Sequence, residues 1–299
     1  MIPKTMRGPF QNISALLKIS LVGGCLLLSG CSMNQFIAKS SRGLIDAGVR
    51  SMNQETDLEL AGAAIPANLK LIESLIIELP QDRSLRIAAA QGLYGYAYGF
   101  VEDTQPARAS RLYKRGLDHA LVGLGLAGGG PDILDASPDE ITQRIASLDR
   151  RAVPELFWVA SNWAKWIDLN RNDPARLADL PKTERLMQRV LELDPGYYYG
   201  GAHVFMGVYY GSRPPMLGGD FVKSAQHFDQ AALRSQNRWL LTEVLRAQFL
   251  LQQMSDRAGF HERLSAVIAT ENSPPDMSLA NAVARDKARK LLSREEDLF

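Results

Sequence analysis

Cysteine is almost absent from this chain, which has Cys25, Cys31 and no other cysteine among its 299 residues. Both lie near the N-terminus, so the remainder of the chain has no thiol for a disulfide, a nucleophile or a cysteine-ligated metal. Histidine is also scarce, and no two of the four histidines have the spacing of a zinc motif. The sequence therefore predicts no metal site and no cofactor.

An excess of either charge is missing as well, because 34 Lys and Arg residues face 33 Asp and Glu residues. A chain with a formal net charge of +1 has no broad basic field, so we expect no nucleic-acid partner. No nucleophile–base pair and no paired catalytic carboxylates stand out, so we also expect no enzyme activity. The hydrophobic share of 46% is sufficient for a real core.

The first 30 residues have the layout of a secretory signal peptide. Lys4, Arg7 and Lys18 are the only charged residues before Cys31, and all three are positive. Residues 19–28 are almost wholly apolar, but this run is shorter than the roughly 20 residues of a membrane-spanning helix. A basic start followed by a short apolar run is typical of a segment removed after export.

Residues 28–31 read LSGC, which is the pattern of a bacterial lipobox. The pattern predicts cleavage after residue 30 and attachment of lipid to the thiol of Cys31; a plain signal peptide with a chance cysteine is the alternative. Two or more acyl chains anchor a protein stably, so we expect a protein of the cell envelope that stays on its membrane. Ser32 favours the outer membrane, with the protein facing the periplasm. We expect no second apolar segment long enough to cross a bilayer, which predicts a soluble, tethered body.

The rest of the chain has helical periodicity and no strand alternation. Leu69, Ile72 and Ile76 recur at helical spacing, and Pro80 ends their run. Similar stripes recur to the C-terminus, separated by Gly- and Pro-rich breaks. We therefore predict an all-α protein with one helical domain over residues 58–299. Residues 31–57 are predicted to be a lipidated tether, or alternatively to contain a first helix.

The chain also resembles itself when it is shifted by 115 residues. The shift aligns Pro80 with Pro195, Gly92 with Gly207, Ala109 with Ser224, and Tyr113 with Phe228. A small residue that lets two helices approach, an aromatic residue between them and a closing proline are typical of tetratricopeptide (TPR) helical hairpins. We predict TPR-like hairpins, with a plain helical bundle as the alternative.

The clearest of these hairpins departs from the TPR pattern. Its first helix would contain Gly207 and Tyr210, and its second Ser224 and Phe228. The pattern expects about nine residues from the tyrosine to the first small residue of the second helix, but Tyr210 and Ser224 are fourteen positions apart. The repeats are therefore degenerate, and the hairpin has an enlarged loop over residues 211–220.

The same region resembles a known family. Residues 194–195 (DP), 198–203 (YYGGAH), Gly207, residues 213–214 (RP) and residues 217–220 (LGGD) are similar to the signature of the T component of TRAP (tripartite ATP-independent periplasmic) transporters, the TatT family. Residues 279–284 (LANAVA) and 287–288 (KA) are similar to its closing helix. The resemblance covers about residues 60–299.

The resemblance implies a periplasmic lipoprotein of TPR-like hairpins without catalytic activity. It also implies a partner, the substrate-binding protein of a TRAP transporter, and an organic ligand delivered to that partner. The alternative is a structural TPR lipoprotein that scaffolds the assembly of envelope proteins. Because repeat surfaces often self-associate, a homo-oligomer is a further hypothesis.

Four tyrosines are candidate binding residues. Tyr198 and Tyr199 come before Gly200, and Tyr209 and Tyr210 come before the enlarged loop. Aromatic rings with hydroxyl tips suit a groove or channel for an organic ligand, and packing between helices is the alternative.

Two further candidates lie in or near the same helix. His203 has the chemistry to titrate near neutral pH or to bind a ligand, although a buried structural histidine is the alternative. Arg213 precedes two prolines and suits a carboxylate of a ligand or partner. Asp220 is predicted to cap the next helix, and Asn281 is predicted to tie helices together.

Overall fold

The computed structural model describes residues 42–130 and 132–299. Within these ranges every regular element is helical, and there is no strand, which confirms the all-α prediction. The signal peptide over residues 1–30 and the lipidation site at Cys31 lie outside the described residues and stay predictions.

The chain folds into the following α-helices: α1 Arg42–Asn53, α2 Leu58–Glu78, α3 Arg83–Tyr96, α4 Pro106–Leu126, α5 Pro138–Ile145, α6 Val153–Asp168, α7 Pro174–Leu177, α8 Leu180–Leu193, α9 Tyr197–Gly211, α10 Phe221–Arg234, α11 Leu241–Arg246, α12 Arg257–Ala269, α13 Ser278–Leu292 and α14 Glu295–Leu298. A π-helical turn continues α3 over Ala97–Val101, and another continues α11 over Ala247–Leu251. Short 3₁₀ turns lie at Arg150–Ala152, Pro215–Leu217 and Pro275–Met277.

Helix α1 lies in the segment for which the sequence left a tether or a first helix open. Its Ile45 is buried in a small apolar cluster with Ile72 and Ile76 of α2. The helical alternative therefore holds for Arg42–Asn53, and packing begins before residue 58.

Helix α2 begins where the carboxylate of Asp57 accepts hydrogen bonds from the backbone amides of Glu59 (2.9 Å) and Leu60 (3.1 Å). It ends two residues before Pro80, as the sequence predicts. By length and composition alone, α2 is apolar enough to cross a membrane. The expectation that no such second segment exists was therefore wrong. Pro66 and Asn68 interrupt the apolar run in the sequence, but neither adds a charge, so the helix as a whole remains apolar.

The helix boundaries agree with the internal repeat at 115 residues. The shift moves the end of α2 at Glu78 onto the end of α8 at Leu193, and the start of α4 at Pro106 onto the start of α10 at Phe221. Tyr113 and Phe228 are both fully buried at the matched position. The two segments are therefore equivalent in fold as well as in sequence.

Two large apolar clusters make up most of the core. One is built mainly from α4, α5, α6 and α8, and the other from α10, α11, α12 and α13. Helix α9 joins them, because its Ala202 and Met206 belong to the first cluster and its Val204 to the second. A change in α9 therefore affects both halves of the molecule.

The last long helix closes the stack against its beginning. Helix α13 contacts both α1 and α2. A Cβ atom at Gly99, after α3, would lie 3.3 Å from Val283, and the amine of Lys287 pairs with Asp103 at 2.9 Å. The buried amide of Asn281 fixes α13 in a second place, as predicted: it accepts from the backbone amide of Leu240 (2.9 Å) and donates to the carbonyl of Arg238 (2.8 Å).

Candidate functional site

The start of α9 contains three successive residues in the left-handed region. The φ angles are 48° at Tyr198, 60° at Tyr199 and 78° at Gly200. A left-handed conformation costs a residue with a Cβ atom about 1–2 kcal/mol. Gly200 fits this geometry because it has no Cβ, which would lie 3.2 Å from Arg234 and 3.3 Å from Ala231. The two tyrosines have no such freedom, so their surroundings must hold them in place.

This left-handed turn directs Tyr198 into a cluster of aromatic rings. Its ring centroid lies 5.0 Å from that of Trp158, 5.5 Å from Phe157 and 5.7 Å from Trp239. We call eight of these rings the aromatic junction: Tyr94, Tyr98, Phe157, Trp158, Tyr197, Tyr198, Tyr199 and Trp239. The ring of Tyr113 borders it, 5.4 Å from that of Tyr94. Tyr198 packs against both large apolar clusters, so the aromatic junction lies where the two halves meet.

The aromatic junction also contains polar groups. The hydroxyl of Tyr98 is buried and has no hydrogen-bond partner among the described residues, and burial raises its pKa well above the ordinary value. The amine of Lys287 lies 4.3 Å from the centre of the Tyr98 ring while it pairs with Asp103. At the outer edge, the half-buried Tyr199 donates its hydroxyl to Asp276 at 2.9 Å.

Beside the aromatic junction, the largely buried amine of Lys165 has charged partners. The amine of Lys165 pairs with Glu102 at 2.6 Å and with Asp168 at 3.2 Å, and Glu102 also accepts the hydroxyl of Tyr113. Burial lowers the pKa of Lys165, but the charges of Glu102 and Asp168 outweigh it and raise that pKa overall. This contrast makes the unpartnered Tyr98 hydroxyl stand out.

His203 is 9% exposed, and its Nδ1 lies 3.0 Å from Nδ1 of His227 on α10. Its buried Nε2 has no hydrogen-bond partner in the part of the chain that the structure describes. Burial, with the nearby His227, lowers the pKa of His203 to about 4, and burial lowers that of His227 as well. Both rings line an open cavity of about 410 Å³ with Gln226, Asp229 and Gln230.

Sequence reasoning missed this pairing because it examined spacing along one helix. In the antiparallel hairpin the hydroxyl of Ser224 donates to the Gly207 carbonyl, so a residue one turn before Gly207 lies near position 228, beside His227. The hairpin register could therefore have identified the pair. Among the described residues, no group of three or more possible ligands is placed to hold a metal ion.

The other two candidate tyrosines lie at the opposite end of α9, away from the aromatic junction. Tyr210 donates its hydroxyl to Glu184 at 3.0 Å. Arg213 lies with its guanidinium 4.4 Å from the centre of the Tyr209 ring and donates to the Tyr209 carbonyl at 3.0 Å. The structure thus brings Tyr198 and Tyr199 together, and it separates them from Tyr209, Tyr210 and Arg213.

The enlarged loop over residues 211–220 is closed at its base. The backbone amide of Asp220 donates to the Tyr210 carbonyl at 3.0 Å. The carboxylate of Asp220 accepts from the amide of Lys223 at 2.9 Å, which confirms its prediction as a helix cap. Between these ends the chain exposes apolar side chains that the sequence did not single out. We call Met216, Leu217 and Val222 the apolar loop patch; Met216 is 88% exposed.

Comparison with known proteins finds a family match over most of the chain. Residues 54–299 match the model of a family described as TRAP transporter T-component. An uncharacterized protein of Treponema pallidum (strain Nichols) is 25% identical, and the alignment covers 92% of this chain and 95% of that protein. The family match spans the helices from α2 onward, including the left-handed turn and the apolar loop patch.

Proposed function

Because this chain belongs to the TRAP transporter T-component family, we propose that it is a lipid-anchored protein of the cell envelope, tethered through Cys31. In this role it binds an organic ligand at the aromatic junction and docks the substrate-binding protein of a TRAP transporter. No catalytic step is part of the proposal. It extends the family assignment to a ligand, a partner and an anchor.

The observation that carries the ligand site is the left-handed turn at Tyr198 and Tyr199. Backbone strain of this kind is typical of functional sites, where surrounding contacts maintain it. Here it aims two rings at the joint between two cores. An organic ligand would lay its apolar part against these rings, and the unpartnered hydroxyl of Tyr98 would meet its polar part.

The apolar loop patch supports the partner site. Met216, Leu217 and Val222 are large apolar side chains that this chain leaves exposed together on one loop and the first turn of α10. Such patches mark protein interaction sites in many proteins. Arg213 and Lys223 flank the loop and would favour a partner with acidic groups around its apolar contact.

The ligand site is tested with Tyr98→Phe. Because the Tyr98 hydroxyl has no partner within the described ranges, we expect its removal to leave stability unchanged or slightly higher. Native mass spectrometry of protein purified from its own host detects any bound small molecule. We expect a ligand on the unmodified protein, and about tenfold lower occupancy in Tyr98→Phe for the loss of one hydrogen bond.

The matched control is Tyr113→Phe. Its hydroxyl donates to Glu102 beside the aromatic junction, so we expect lower stability and unchanged ligand occupancy. Equal occupancy in all three proteins would contradict the role of Tyr98. A chain that never carries a ligand in its own host would favour the scaffold for envelope assembly, which needs none.

A further inference from the structure

Helix α2 presents an uncharged apolar face to the outside of the molecule. Residues at helical spacing form what we call the outer face of α2: Leu60, Ala63, Ala67, Leu71 and Ser74. Leu60 is 55% exposed and Leu71 is 50% exposed. A solvent-facing helix stripe normally carries polar or charged residues. The outer face of α2 is therefore unusual, because no charge interrupts it from Leu60 to Ser74; Glu78 follows on the same stripe at the last residue of the helix.

Apolar exposure continues beyond this face. Ile77, near the end of α2, is 78% exposed, and Leu44 on the adjoining helix α1 is 71% exposed. Lys70 lies beside this face with its side chain largely in solvent. From there a long side chain can extend along an apolar surface and place its charged group in a polar layer. Ile77 and Leu44 thus extend the apolar surface beyond the outer face of α2, and Lys70 lies at its edge, as expected of a helix at an apolar–aqueous boundary.

The opposite face of α2 rules out a transmembrane orientation in this fold. Ala61, Leu69 and Ile76 are buried against neighbouring helices, and the helix contacts α1, α3 and α13. Although α2 is apolar and long enough to span a membrane, only one of its faces is free. A helix with one free apolar face lies on a membrane surface rather than across it.

The length of the N-terminal segment identifies the occupant of this face. Ten residues separate Cys31 from Arg42, the first residue of α1. At full extension each residue spans at most about 3.6 Å, so a lipid on Cys31 keeps α1 within roughly 40 Å of the bilayer. Helix α2 follows α1 directly and is itself about 30 Å long. A tether of this length keeps the bilayer at a high effective concentration near α2, whereas a partner that is free in solution has no such advantage.

We propose that the outer face of α2 lies on the lipid surface to which Cys31 is anchored. Leu60 and Leu71 enter the boundary between headgroups and acyl chains, and Lys70 reaches the headgroups. The inference rests on the lipid anchor of the proposed function. It adds a second membrane contact, which fixes the orientation of the body instead of leaving it free on its tether.

The test uses a thiol-reactive fluorophore on Leu71→Cys in the mature acylated protein. The new thiol is unique, since Cys25 leaves with the signal peptide and Cys31 is acylated. The protein is inserted into vesicles of phosphatidylethanolamine and phosphatidylglycerol with brominated acyl chains. We expect bromine quenching at position 71. The control is Leu233→Cys, which is 68% exposed on α10, a helix of the second apolar cluster; we expect no quenching there.

Vesicle flotation and the mass of the acylated peptide report the anchor separately. A floating, acylated protein without quenching at position 71 would overturn the membrane contact and leave the anchor intact. A protein that does not float would overturn both. A blue shift at position 71 without bromine quenching, with a doubled mass in native mass spectrometry, would assign the face to a second copy of the chain and overturn the proposal.

A second measurement does not depend on the label. In a mature chain with Cys31→Ser, residual binding to the same vesicles depends on the protein surface alone. We expect Leu71→Glu to lower this binding about tenfold, because an apolar contact is replaced by a charge. Leu233→Glu is the control with unchanged binding. Equal binding of both variants, with circular dichroism confirming their folding, would overturn the proposal.

Discussion

In the hairpin of α3 and α4 the central aromatic residue is Tyr113, whereas the matched position of α9 and α10 holds Phe228. The hydroxyl of Tyr113 reaches Glu102, which in turn pairs with Lys165, so the polar groups there satisfy one another. Each hairpin also keeps a buried polar atom without a partner among the described residues, the Tyr98 hydroxyl in the first and Nε2 of His203 in the second. The two repeats therefore differ at the central aromatic position, where the first carries a hydrogen-bonded hydroxyl and the second a plain ring.

The two hairpins also differ in the backbone at the start of their first helices. Helix α3 begins with the carboxylate of Asp82 accepting from the backbone amide of Leu85. Helix α9 begins with the left-handed turn at Tyr198 and Tyr199 and ends in the enlarged loop. The left-handed turn and the enlarged loop occur in the second copy, whereas the first copy has the π-helical turn over Ala97–Val101. Irregular backbone on a repeat scaffold is typical of functional sites.

The largest expected effect comes from acid acting on the second hairpin. The folded-state pKa of His203 is about 4, below the ordinary value of about 6.5. The unfolded chain therefore binds the proton first, so this contribution to stability is complete above pH 6.5 and is lost as the pH falls to 4. We expect a loss of about 3 kcal/mol, measured by urea unfolding at a series of pH values.

The variant His203→Asn tests the source of that loss, because the amide keeps a hydrogen-bonding group near His227 but does not titrate. We expect a flatter pH profile between pH 6.5 and 4 in His203→Asn than in His261→Asn. His261 is exposed and pairs with Glu295. An unchanged slope in His203→Asn would assign the acid sensitivity elsewhere.

The two matched glycines provide the next test. A Cβ at Gly207 would lie 2.9 Å from two atoms of the buried Phe228 ring, which cannot move freely. A Cβ at Gly92 would lie 2.7 Å from the end of the Leu69 side chain, which can rotate away. We expect Gly207→Ala to cost about 2 kcal/mol. Gly92→Ala should stay within about 1 kcal/mol, because helix propensity offsets part of the contact. Equal losses in thermal unfolding would remove this distinction between the repeats.

Removal of one hydroxyl tests how much the network of Tyr113, Glu102 and Lys165 stabilises the first hairpin. Tyr113→Phe should cost about 1–2 kcal/mol, since a hydrogen bond to the charged Glu102 is lost. Tyr96→Phe is the control in the same segment: its hydroxyl accepts only a 3.3 Å bond from Arg108, so we expect less than about 0.5 kcal/mol. If the two variants unfold at the same denaturant concentration, the satisfied network contributes no special stability.

The smallest effect on stability is expected in the apolar loop patch. Leu217→Asp and Leu233→Asp both change exposed leucines, and each should alter stability by less than about 0.5 kcal/mol. Their effects on docking should differ. We expect Leu217→Asp to weaken binding of the transporter's substrate-binding protein about tenfold in biolayer interferometry, and Leu233→Asp to leave it unchanged. Equal binding by both variants would place the docking surface away from the loop.

Features that depend on local chemistry could be predicted from the sequence. Pro80 and Pro195 mark the ends of α2 and α8 because proline cannot continue a helix. The match of Gly92 with Gly207 predicted equivalent hairpins because close helix packing needs small residues. Asp220 and Asn281 were interpreted correctly from the hydrogen-bonding capacity of their side chains.

Features that depend on tertiary packing could not be predicted in this way. A left-handed turn at Tyr198 and Tyr199 contradicts the local preference of tyrosine, so only the surrounding rings explain it. Tyr209 and Tyr210 were grouped with them by composition. Ten residues of helix, however, carry a side chain about 15 Å along the axis. The partner of His203 lies on another helix, where no spacing rule along one element detects it.

The contact of α13 with α1 and α2 has a consequence for how the protein acquires its structure. An open repeat array can form from one end, because each unit needs only its immediate neighbours. Here the first two helices have a neighbour that is encoded almost 200 residues downstream. During synthesis α1 and α2 must therefore wait for nearly the whole polypeptide, and a truncated product would leave their α13 contact surface uncovered.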